Sequence, residues 1–65
     1  MMITYVLQDV GHDGTVLGYY DRLKDAKAEC RRYPFGLIIK LQGLYKYEGY
    51  HVYKLQWNGS KFSYL

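Results

Sequence analysis

One stretch of the chain, Asp21 to Pro34 (DRLKDAKAECRRYP), has the period of an α-helix, and no second such stretch exists for it to pack against. Leu23, Ala26, Cys30 and Tyr33 fall at i, i+3, i+7 and i+10, which is one helical face. The sequence on either side reads as short strands. A lone apolar helix face beside strands has to be buried against a sheet, so the expected class is α+β. The expected order is ββαβββ, an antiparallel sheet with one helix packed on one face. Sixty-five residues make a single domain, 1–65. A domain this small buries only about 60% of the surface that its unfolded chain exposes.

Ile3 to Val10 alternates as a half-buried strand, Asp13-Gly14 suits a turn with positive φ, and Thr15 to Tyr20 returns as the second strand of a hairpin. Asp21 is placed to cap the helix N-terminus, Arg31 and Arg32 favour its last turn, and Pro34 stops it. The third strand is read from Gly36 to Tyr47. A turn at Glu48-Gly49 then sets Tyr47 opposite Tyr50 and Leu44 opposite Tyr53. A β-bulge at Gly43 brings Leu37, Ile39 and Leu41 onto the face of Leu44. Tyr50 to Trp57 is the fourth strand. Asn58-Gly59 predicts a two-residue type I′ turn, with Trp57 opposite Ser60, Leu55 opposite Phe62 and Tyr53 opposite Tyr64. Tyr53, Leu55, Trp57, Phe62 and Tyr64 then face the helix. Tyr50, Val52, Lys54, Gln56, Lys61, Ser63 and Leu65 face outward, onto a side with no second helix to cover it.

Little in the chain carries covalent chemistry. There is no Gly-rich phosphate loop and no zinc spacing. His12 and Asp13, with Asp9 nearby, share a loop within reach of a metal, but ordinary turn chemistry accounts for both aspartates. His51 reads as a partly buried histidine at the edge of the core-facing phase. Ser60 and Ser63 have no acid–base partner in view. The expectation is a non-enzymatic protein with no cofactor and no metal. Cys30 is the only cysteine and lies on the helix's apolar face, where a small buried thiol is the simplest reading. An unpaired thiol suits a reducing compartment, and no apolar run approaches a membrane span, so the expected location is cytoplasmic.

Nine tyrosines in this length exceed what a small core can hold with every hydroxyl satisfied, so several must face solvent. Exposed tyrosine gives rigid contact area plus a hydrogen bond at low entropic cost, which is the currency of binding surfaces. The candidate partner-binding residues are Tyr45, Tyr47, Tyr50, Lys54 and Lys61 on the sheet, and Lys24, Lys27, Arg31 and Arg32 on the helix. Lys24, Lys27 and Arg31 form a basic row at i, i+3, i+7, beside a mixed row of Arg22, Asp25, Glu29 and Arg32. The leading expectation is docking on another protein or protein complex. The alternative is a DNA- or RNA-binding module, in which Lys and Arg neutralise phosphates and tyrosines stack on bases, although the net charge of +3 is modest. A homodimer formed through the sheet is a third arrangement.

Tyr5 to Leu7, then Leu23, Ala26 and Lys27, then Gly36 to Leu41 form a hairpin, a Leu-x-x-Ala-Lys helix and a Gly-led strand. This arrangement resembles small accessory proteins encoded by bacteriophages, including some anti-CRISPR proteins. The resemblance covers about the first two-thirds of the chain. It implies a stoichiometric inhibitor or modulator of a host enzyme or defence complex, acting in the host cytoplasm. It transfers no inhibitory residue to a position here.

Overall fold

The computed structural model describes residues 1–65, leaving aside only the side chain of His12. Five strands and one α-helix follow in the order β1 (Met2–Asp9), a 3-10 turn (Val10–His12), β2 (Thr15–Tyr20), α1 (Leu23–Cys30), β3 (Gly36–Gly43), β4 (Tyr50–Trp57) and β5 (Phe62–Tyr64). All five strands join one antiparallel sheet in the order β2-β1-β3-β4-β5. This is a small α+β fold. It differs from the expected order by the 3-10 turn inside the first hairpin.

The helix packs where its period says it should. Leu7, Ala26, Cys30, Ile38 and Leu55 form the main buried cluster, with Leu23, Tyr33, Tyr53, Trp57 and Phe62 packed around it. Each fully buried large apolar side chain contributes about 1.5–3 kcal/mol, so burial of this kind is a main source of stability in so short a chain. The start of the helix departs from expectation. Arg22 is the N-cap residue and makes no side-chain cap, while its Nε donates to Asp25 Oδ2 at 3.1 Å. Asp21 lies outside the helix, and its carboxylate sits 3.9 Å from Lys46 Nζ.

The first hairpin forms as its turn residues require. Asp13 and Gly14 both take positive φ, +57° and +70°, and the Asp9 carboxylate accepts from Gly11 N at 3.1 Å. Both aspartates thus serve the turn. The metal reading of this loop falls partly on the His12 side chain, outside the described residues. Among the described residues no three potential ligands converge.

The third strand corrects the expected register. It ends at Gly43, so Leu44, Tyr45 and Tyr47 lie in a loop. Lys40 faces Tyr53 and Gln42 faces Tyr50, where Leu44 and Tyr47 were expected. The irregularity lies between Lys40 and Leu41, with Val52 as the extra residue on β4, and not at Gly43. Ile38 therefore reaches the helix, while Leu37, Ile39 and Leu41 join Val6 in a second buried cluster on the opposite face. The same bulge moves Tyr50 out of phase with Val52, Lys54 and Gln56. It also puts His51 opposite Leu41, exposed where partial burial was expected.

The last turn is longer than predicted. Trp57 pairs with Phe62 and Leu55 with Tyr64, so Asn58 to Lys61 make a four-residue connection. Asn58 Oδ1 accepts from both Ser60 N and Lys61 N at 2.9 Å, and only Gly59 takes positive φ. The asparagine acts as a side-chain acceptor here, not as the left-handed first residue of a type I′ turn.

Candidate functional site

The structure separates the nine candidate residues into two groups, with Lys54 apart from both. Tyr45, Tyr47 and Tyr50 come together at one end of the sheet. Lys27 and Arg31 lie over Phe62 of β5 with Lys24 on the same helical row, while Arg32 follows the helix and Lys61 precedes β5. Lys54 pairs with Ile39, on the face away from the helix.

The tyrosine end is built around the loop 44–49. Its two ends touch through backbone: a Cβ on Gly43 would lie 2.6 Å from Glu48 O, and one on Gly49 would collide with Gln42 O. The loop is then pinned along its length. Tyr47 N donates to Thr4 Oγ1 at 3.3 Å, and Thr4 is almost completely buried on β1. The Tyr47 ring packs on Tyr19 of β2 at 4.7 Å, Glu48 N donates to Tyr45 O, and Lys46 reaches Asp21. The Tyr47 phenol and Asp21 both raise the Lys46 ammonium above its usual pKa. Tyr47 itself takes φ +68°, a left-handed conformation that costs an ordinary side chain about 1–2 kcal/mol.

What this loop holds out is apolar. Leu44 is 80% exposed and Tyr45 is 67% exposed. Met2 and Ile3 of β1 and Tyr50 of β4, also exposed, lie at the same end of the sheet, since Met2 pairs with Gly43, and Ile3 with Gln42, which also pairs with Tyr50. Sequence reasoning placed Leu44 in the core and missed it as a surface residue. The signal for it was present in Gly43 and Gly49, which bracket the segment at the spacing of a closed loop.

On the helix, charge is segregated. The acids pair locally within the helix segment, Arg22 with Asp25 and Arg32 with Glu29 at 3.5 Å. Burial first, then Glu29, then Tyr33 raises the pKa of Tyr20 on β2. Lys27 and Arg31 lie over the rings of the last hairpin. Lys27 Nζ is 5.2 Å from the Phe62 centroid, and Arg31 Cζ is 5.4 Å from Phe62 and 5.9 Å from Trp57.

Two weak acids, the buried Cys30 thiol and the half-buried Tyr53 phenol, shape the response to alkali. Burial pushes the Cys30 thiol up to about 11, opposed in part by Arg31. Burial, with the Tyr5 phenol beside it, pushes Tyr53 up to about 12. Both folded values exceed the ordinary ones, 9.0 and 10.0, so the folded chain holds protons that the unfolded chain releases. That stability is complete below pH 9 and is lost as pH rises through 11 and 12. Melting curves should show Tm falling across this window. Cys30→Ala should remove the portion that begins near pH 9, and a superimposable profile would reject the assignment.

No protein-family model matches this chain, and neither the curated proteins nor the solved structures contain a match. Among the described residues, no helix is long and apolar enough to cross a membrane.

Proposed function

We propose that this chain is a non-enzymatic docking module that engages a protein partner through the end of the sheet capped by Leu44 and Tyr45. The observation that carries the reading is a large apolar pair held out on a loop that the rest of the fold immobilises. Exposed apolar side chains on a mobile loop would lose their contact energy to ordering on binding; on a pinned loop that cost is already met in the free protein. The left-handed Tyr47 fits the same reading, because local strain persists where surrounding contacts over-determine it. Tyr50, Met2 and Ile3 supply the surrounding contact area. The resemblance to small phage accessory proteins suggests that the partner is a host enzyme or defence complex, modulated stoichiometrically in the host cytoplasm.

The test starts with a photo-crosslinking amino acid at position 45, introduced in producing cells to capture the partner. Binding of that partner is then titrated against the Leu44→Ala/Tyr45→Ala variant. Truncating two central anchors should weaken binding by about 2–4 kcal/mol. Because both side chains are mostly exposed, Tm should stay within a few degrees of the parent. Full affinity in a folded variant would overturn the assignment of this surface.

A further inference from the structure

A separate strip of the molecule carries a different chemistry. Along the helix side of β4 and β5, aromatic rings and cations interleave. Trp57 and Phe62 pack at 4.8 Å and carry Lys27 and Arg31 above them. Tyr53 and Tyr64 meet edge to face at 5.3 Å, and Lys40 Nζ sits 5.5 Å from the Tyr53 centroid. Lys24 continues the helical row and is exposed. Among the described residues the ion pairs are Arg22–Asp25, Arg32–Glu29 and Lys46–Asp21. None of them involves Lys24, Lys27, Arg31 or Lys40, since the helix acids pair with Arg22 and Arg32.

Two features of this strip choose among anionic partners. An acidic peptide would use the cations and leave the rings idle. Interleaved rings and cations suit a ligand that alternates flat π-faces with negative charge. The rings are also not equally available. Phe62 and Trp57 are covered by the cations that they hold in place, whereas Tyr64, at the end of the row, is 72% exposed. The strip thus presents positioned charge along the helix and one free stacking platform beside it. Stacking on that platform requires an unpaired base, which a duplex does not offer.

We infer that the strip between α1 and β5 is a binding site for single-stranded nucleic acid, with Lys24, Lys27 and Arg31 on phosphates and Tyr64 under a base. This goes beyond docking through the loop end and does not depend on it. The two surfaces would let one small domain join a protein partner to a nucleic-acid strand.

The probe is a fluorescein-labelled 15-nucleotide oligo(dT), titrated with the full chain at 50 and 200 mM NaCl. Anisotropy reports binding, and emission from Trp57, the only tryptophan, reports contact at the strip itself. Three phosphate contacts give a salt slope of about −2, so affinity should fall by roughly 20-fold between the two salts. Lys24→Gln touches no ring, and should lower that slope by about 0.7 in a protein with unchanged Tm. Tyr64→Ala should weaken binding by roughly 5- to 150-fold and leave the salt slope alone. The proposal is overturned by an absence of binding at 50 mM NaCl, or by binding that neither variant alters. It is also overturned if a poly-glutamate peptide binds as tightly with the same Trp57 response, which would make the strip a surface for acidic proteins.

Discussion

Gly49→Ala should lower the unfolding free energy by about 3 kcal/mol, the largest effect expected of any single methyl group added to this chain. Two independent costs add at this position. The glycine takes φ +147°, a region that side chains rarely enter. The new Cβ would also collide with backbone atoms, Gln42 O and C and Gly43 N, which cannot swing aside as a side chain can. A 65-residue domain has about 3–10 kcal/mol in total, so the loss is a large share of it. At about 4–8 °C per kcal/mol, Tm should drop by roughly 12–24 °C. A melting temperature within 3 °C of the parent would mean that the strand ends do not close as described. Closure also decides what the loop can do, because Gly43 and Gly49 are the base on which Leu44 and Tyr45 stand. Milder substitutions there should reduce docking before they unfold the protein.

The same glycines show where the sequence could be read and where it could not. The helix face was legible because Leu23, Ala26, Cys30 and Tyr33 recur at one period and point to one surface, whatever the sheet does. Asp13-Gly14 was legible because both residues need positive φ. The last hairpin was misread by two residues, yet its faces came out right: a shift of two leaves every side chain on its own side, so Tyr53, Leu55, Trp57, Phe62 and Tyr64 still share the helix side. β3 had no such protection. Leu37, Ile38 and Ile39 are apolar in succession, and a run without alternation does not say which face is inward. Placing the bulge at Gly43 in place of the Val52 position inverted Leu37 to Leu41. Gly43 is glycine because Glu48 and Gly49 pass against it, a close approach that local pattern does not state.

The candidate surfaces follow the same rule. The basic row on the helix was visible from i, i+3, i+7 spacing, a local property. That Lys27 and Arg31 stand over Phe62 and Trp57 depends on which edge of the sheet the last hairpin occupies, and no local pattern states this. Composition flags Tyr45 and Tyr47, but the expected strand puts both on one face, where they would share one role. In the loop they serve different ends: Tyr47 anchors against Tyr19 and Thr4, and Tyr45 is free to meet a partner.

Gly36→Ala should cost about 1–3 kcal/mol, and a second substitution should return much of it. The turn after the helix is tight: Tyr33 N donates to Cys30 O, Gly36 N donates to Tyr33 O, and Phe35 takes φ +61°. It delivers the start of β3 directly under the last helical turn. A Cβ on Gly36 would lie 2.5 Å from Cys30 Sγ and 3.2 Å from Cys30 O. The nearer obstacle is a thiol, buried and packed among Leu7, Ile38 and Leu55, with nowhere to move. Removing that sulfur should therefore make room for the methyl. Cys30→Ala alone should be mildly destabilising, because it leaves a small void. The pair Gly36→Ala/Cys30→Ala should be more stable than the sum of the two single effects predicts, with a coupling of at least about 1 kcal/mol by chemical denaturation. Strict additivity would show that the sulfur is not what excludes a side chain at Gly36. The carbonyl of Cys30 would then be the obstacle, and the joint between α1 and β3 would rest on backbone packing alone.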